Sequence, residues 1–139
     1  MAGYSGTPLA KKLGIREGSR VYVSGAPASF EPSLRPWQVG ATFVERIGPD
    51  TDIVHLFETS RARLAKSLKA ALAKLRPDGT IWVSWPKKAS KVPTDITEDT
   101  IRDVALPLGL VDVKVCAVDE VWSGLKLVIR KALRAKRPG

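Results

Sequence analysis

Leu75-Arg76-Pro77-Asp78-Gly79-Thr80-Ile81-Trp82-Val83-Ser84-Trp85-Pro86-Lys87-Lys88 carries the strongest architectural signal in the chain. Upstream of it, Leu64, Leu68, Ala71, Leu72 and Leu75 recur at helical spacing, which predicts a helix over 61–75. Arg76-Pro77-Asp78-Gly79 ends that helix in a tight turn. An apolar strand follows, Thr80 to Trp85, and stops at Pro86 with two lysines beyond it. A helix, a glycine turn, a buried strand and a polar strand tip form the repeating unit of an α/β sheet. Such sheets take ligands at the carboxyl ends of their strands.

Immediately before the helix, Asp52 to Phe57 is a nearly unbroken apolar run, the pattern of a strand covered on both faces. Glu58-Thr59-Ser60 caps the helix. Nearer the N-terminus, Thr7 as N-cap and Pro8 at the first helical position predict a short helix over 8–13, with Leu9 and Leu13 inward and Gly14 as its stop. A first strand runs from Ser19 to Gly25. Ala26 to Gly40 is a proline-rich loop with one helical turn near Pro32 to Trp37, pinned to the sheet by Phe30 and Trp37. Ala41 to Ile47 is the second strand.

Downstream, Lys87 to Asp95 is a polar loop at the strand tip. Thr97 caps a helix with Glu98 and Asp99 in its first turn, where the helix dipole favours acids. Its inner face is Ile101, Val104, Ala105 and Leu108; Pro107 distorts its last turn and Gly109 ends it. Val111 to Val118 and Leu125 to Lys131 are two strands joined by a turn, Asp119 to Gly124, which makes them an antiparallel hairpin. The tail, 132–139, is basic and expected to fray.

With 139 residues, 44% hydrophobic and 27% charged, the chain has the composition of one soluble domain. No run is long and apolar enough to span a membrane, and the first residues lack the apolar core of a secretory signal, so the cytoplasm is the expected location. A single cysteine, Cys116, excludes an internal disulfide and reads as a buried small hydrophobe. The only histidine, His55, lies among apolar residues with no partner at metal or triad spacing, so it reads as structural and no metal is expected. Asp119 and Glu120 are adjacent and would point to opposite faces, which argues against a carboxylate dyad.

Net charge is +9 and the pI about 10.0, compatible with a polyanionic partner. The outer face of the 61–75 helix carries Arg63, Lys66 and Lys69 with no acid within the helix. These residues and the tail are the candidate nucleic-acid contacts, against the plainer reading of a solvated face.

The closing hairpin, the segment Leu75 to Ser84 ahead of a strand, and the approach Gly14 to Gly25 resemble the class I S-adenosylmethionine-dependent methyltransferase fold. More specifically, Gly3 to Leu9, Trp82 to Lys88, Thr94 to Asp99 and Ala105 to Lys131 are similar to a small bacterial family of unknown function with a shortened form of that fold. The resemblance covers nearly the whole chain. It implies a single Rossmann-like three-layer α/β domain over 1–131, a mostly parallel sheet with a C-terminal antiparallel hairpin, and no established activity. It also implies a glycine-rich loop after the first strand and an acid at the end of the second. Here those positions read Ser24-Gly25-Ala26-Pro27 and Glu45, the latter short of the end of a strand over 41–47.

The shared carboxyl edge would collect Ser24, Gly25, Glu58, Thr59, Trp85, Lys87 and Lys88. Asp119, Trp122 and Ser123 join them if the hairpin turn lies on the same side. Flat indoles and lysine charge suit a small anionic or aromatic ligand such as a nucleotide. The expected function is a degenerate, non-catalytic domain that binds a ligand or a protein there, with no cofactor. A minimal methyltransferase using S-adenosylmethionine and a nucleic-acid-binding accessory protein are the alternatives.

Overall fold

The computed structural model describes residues 8–30 and 40–134. Their elements are α1 (Leu9–Lys12), β1 (Arg20–Ser24), β2 (Thr42–Val44), β3 (Ile53–Phe57), α2 (Arg61–Lys74), β4 (Thr80–Pro86), α3 (Glu98–Ala105), β5 (Leu110–Ala117), β6 (Trp122–Ile129) and α4 (Lys131–Arg134). The six strands form one sheet in the order β2-β1-β3-β4-β6-β5. The first four are parallel, and β6 inserts antiparallel between β4 and β5. This is the mixed α/β architecture expected from the sequence.

The sheet has helices on both faces. Against one, α2 presents Leu64, Leu68, Ala71 and Leu72 and α3 presents Ile101 and Ala105; they meet Val54 and Leu56 of β3 and Ile81, Val83 and Trp85 of β4. Against the other, Leu9 and Leu13 of the α1 segment and Phe30 meet Val21, Ile53, Phe57 and Trp82. Trp82 is fully buried there, and its indole Nε1 donates to the Leu13 carbonyl at 3.0 Å, which ties α1 to the centre of the sheet. Every residue of β3 is buried, the outcome expected of its unbroken apolar run.

Local chemistry accounts for the helix ends. Ser60 caps α2 by accepting from the Arg63 N–H, and Thr97 and Thr100 form a reciprocal capping box on α3. Gly109, in the left-handed region, closes the 3-10 turn Leu106–Leu108 into which Pro107 diverts the chain.

Several expectations are corrected. Pro8 is the N-cap of α1 rather than its first helical residue, because its ψ is extended; Thr7 lies outside the described residues, as do the helical turn expected at 32–37 and Trp37. β2 ends at Val44, three residues earlier than expected. Trp122, Ser123 and Gly124 belong to β6 rather than to the turn, paired with Pro86, Trp85 and Ser84. Residues 131–134 are helical rather than frayed, held by Arg134 Nε on the Ile129 carbonyl and by Leu133 against the core. Cys116 is half-buried rather than buried, and partial burial raises its pKa. The cations flanking the outer face of α2 do find acids, from beyond the helix: Arg63 pairs with Glu58 at 3.2 Å and Arg76 with Asp52 and Asp78 at 2.9 and 2.7 Å.

His55 is buried at the middle of β3. Its Nε2 and Ser84 Oγ lie 2.7 Å apart, and its ring stacks on Phe57 with centroids 4.3 Å apart. Burial pushes its pKa from 6.5 down to about 3. Between those values the unfolded chain binds a proton that the fold refuses, so the contribution is complete above pH 6.5 and is lost as pH falls toward 3. The expected slope is up to about 1.4 kcal/mol per pH unit. Melting curves should therefore show a steeper loss of stability between pH 6.5 and 4 in the native chain than in His55→Gln, which keeps a hydrogen-bonding group without titrating. Equal slopes would contradict this role.

Gly25 follows β1 with φ of 74°, and a Cβ there would meet the Phe57 carbonyl oxygen at 2.6 Å. Both the conformation and the close approach demand glycine. Gly25→Ala should lower stability by about 2 kcal/mol or more in a denaturant titration; an unchanged midpoint would show that the turn relaxes freely.

Candidate functional site

Because β1 to β4 are parallel, their carboxyl ends share one edge, and the β5–β6 turn lies there too, since Pro86 pairs with Trp122. The sheet order reverses at β1, whose neighbours are β2 and β3, which makes the β1 tip the topological switch point where such sheets bind ligands. Gly25 sits at that point.

The ten strand-tip residues expected from the sequence do share this edge, but they divide by what their polar atoms already do. Glu58, largely buried, accepts from Arg63 Nε, and its own N–H donates to the Ser84 carbonyl. Thr59 Oγ1 accepts from Arg63 Nη2 at 3.0 Å, and its carbonyl accepts from Thr94 Oγ1 and the Asp95 N–H. Asp119 Oδ1 accepts from the N–H groups of Val121 and Trp122 at 2.8 and 2.7 Å, and its carbonyl accepts from Lys87 Nζ at 2.7 Å. These groups build the edge. Trp85 is buried against the helices, with 8% exposure, while Ser123 is half-buried at its register partner position. Trp122 is half-buried on the opposite face, edge-on to Phe57 with centroids 5.2 Å apart. The two indoles thus lie on different faces and do not make one platform. Lys88 is exposed at the start of a 3-10 turn, and Ser24 is half-buried at the end of β1.

A cavity of about 550 Å³ opens at the tips of β1 and β2, between Val23, the turn Ala26 to Ala28, Phe30, Phe43 and Glu45. The side chains that line it are mostly apolar or aromatic, polar atoms make up much of the wall between them, and one carboxylate stands at its rim. Because β2 stops at Val44, Glu45 is the first residue past the strand rather than one inside it. The sequence offered it only as an acid short of the end of a longer strand; the strand's true length is what moves it to the tip.

Two other groups with chemical potential are sealed. His55 and Ser84 bond each other at 1% and 0% exposure, beyond the reach of a substrate. Among the described residues no set of three or more His, Cys, Asp or Glu is arranged to hold a metal ion, and no helix is long and apolar enough to cross a membrane. On α2, Lys66 and Lys69 are exposed, whereas Arg63 is engaged by Glu58 and Thr59, so the three cations do not act as one free stripe.

In fold, the chain is similar to a SAM dependent methyltransferase from Aquifex aeolicus at 14% identity and a TM-score of 0.64, over 87% of this chain and 88% of that one. A precorrin-6y C5,15-methyltransferase from Geobacter metallireducens matches at 12% identity and a TM-score of 0.56, over 88% and 86%. A methyltransferase from Pyrococcus furiosus matches at 11% and 0.53, over 86% and 78%. At these identities the likeness is one of fold, and the chain has a methyltransferase-like fold. No curated protein matches it. A family model described as a protein of unknown function (DUF3052) matches residues 38–131, more than half of the chain, and the chain belongs to that family.

Proposed function

We propose that this domain binds a nucleoside-bearing small ligand at the tips of β1 and β2 and serves as a binding module rather than as a methyltransferase. The observation that carries the reading is the cavity at the switch point with Glu45 at its rim. A carboxylate directly past the end of β2 is the acceptor that a ribose diol needs, and Val23, Phe30 and Phe43 supply apolar surface for a base. The volume suits a group of nucleoside size. The solved structures similar in fold include a SAM dependent methyltransferase, which makes an S-adenosylmethionine-like ligand the first to try.

The non-catalytic half of the reading rests on two features. The turn after β1 is Ser24-Gly25-Ala26-Pro27, so only one glycine lets the backbone approach a ligand, and Pro27 offers no N–H. Apart from Glu45, assigned here to the ligand, the carboxylates Glu58 and Asp119 at the strand tips are engaged in building the edge. A base for proton abstraction would have to come from elsewhere.

The test is calorimetric titration with S-adenosylmethionine, S-adenosylhomocysteine and adenosine. At least one should bind saturably, and Glu45→Gln should weaken it about tenfold by replacing a charged acceptor with a neutral amide. No binding of any of the three at millimolar concentration would end the ligand assignment. Conversion of S-adenosylmethionine to S-adenosylhomocysteine with transfer to an acceptor would end the non-catalytic one.

A further inference from the structure

The opposite edge of the sheet carries a second cavity, of about 580 Å³. It lies at the amino ends of β1, β3 and β4, between the α1–β1 connection, the α2–β4 turn and β6. Three cations, Arg16, Arg76 and Lys126, and three acids, Glu17, Asp52 and Asp78, line it. Their pairing is unequal. Arg76 alone answers two of the acids, with Nη1 on Asp52 and Nε on Asp78. Asp52 also accepts from the Arg20 N–H at 2.8 Å. Among the described residues, no carboxylate pairs with Arg16 or Lys126.

Lys126 is also placed against a like charge. It sits directly across from Lys114 of β5, and like charges in that position repel. A further cation, Arg134 of α4, lies close enough to Asp78 to help lower that carboxyl's pKa, after the larger effect of Arg76. The wall thus holds three acids and three cations, and Lys114 opposite Lys126 and Arg134 near Asp78 add positive charge outside it. Thr80 adds a hydroxyl to the wall. An arrangement of this kind gains from a multiply charged anion that several donors can reach at once.

We propose that this amino-edge cavity is a binding site for a phosphate group, held principally by Arg16 and Lys126 and separate from the site at the strand tips. The phosphate belongs either to a free ester or to the phosphodiester backbone of a nucleic acid. The overall charge of +9 is compatible with both.

The full chain is titrated at low salt with inorganic pyrophosphate, by calorimetry, and with a short labelled oligouridylate, by fluorescence anisotropy. At least one should bind, with affinity that falls as salt rises. Lys126→Gln and Arg16→Gln should each weaken it about fivefold or more, and Glu45→Gln should leave it unchanged. Pyrophosphate binding assigns the site to a free ester, and binding of the oligouridylate alone assigns it to a phosphodiester strand. Lys126→Gln removes a repulsive pair, so without ligand its melting temperature should match or exceed that of the native chain; a clear fall would contradict the repulsion on which the proposal rests. Absence of binding by both probes at millimolar concentration, or binding indifferent to both substitutions, would overturn it.

Discussion

The two central strands, β3 and β4, have no wet face. Every residue of β3 is buried, and so is all of β4 after Thr80. A polar group in that pair must find its partner inside the protein or cost the full penalty of desolvation. Backbone groups are answered by the parallel ladder and by β6. The two side chains that break the apolar pattern, His55 and Ser84, sit two residues apart in register, on the same face, and answer each other. Trp82 is the third polar intrusion and is answered by the Leu13 carbonyl. That bond fixes α1 over the sheet, so the small second layer depends on the same rule.

The buried centre of the sheet can meet solvent and ligands only at its two ends. At the carboxyl end, reversal of strand order at β1 leaves the crevice that α/β sheets use, and Gly25 lets the chain turn where a Cβ would come 2.6 Å from the Phe57 carbonyl oxygen. The hydrogen bonds of Glu58, Thr59, Asp119 and Lys87 then tie the neighbouring tips together. What remains open is the cavity beside β1 and β2 with Glu45 at its rim. At the amino end a second cavity is lined by three cations and three acids, and Arg76 takes up two of those acids, leaving Arg16 and Lys126 with Glu17.

Much of this was legible in the residues alone. The unbroken run at 53–57, the helical spacing from Leu64 to Leu75 and the Thr97 cap are local signals, and tertiary structure had no reason to override them. Three features were not local. Gly124 looks like turn chemistry, yet it lies in β6 because a Cβ there would come within 3.3 Å of Ser84 Oγ and Trp82 Cε3; a packing need across the sheet set that glycine. The acids for Arg63 and Arg76 lie outside the helix and reach those side chains only once the chain has turned. The end of β2 depends on pairing with β1, which stops at Tyr22 opposite Val44, and no alternation in 41–47 announces it. Reading that strand too long concealed the position of Glu45, the residue on which the ligand assignment turns.

The most direct test of that assignment is a backbone amide chemical-shift titration of the isotopically labelled chain with S-adenosylhomocysteine. Binding at the strand tips should give saturable shifts concentrated at Gly25, Ala26, Ala28 and from Phe43 to Glu45, with Arg16, Thr80 and Lys126 at the far edge unmoved. Shifts confined to the far edge, or none at millimolar ligand, would contradict it.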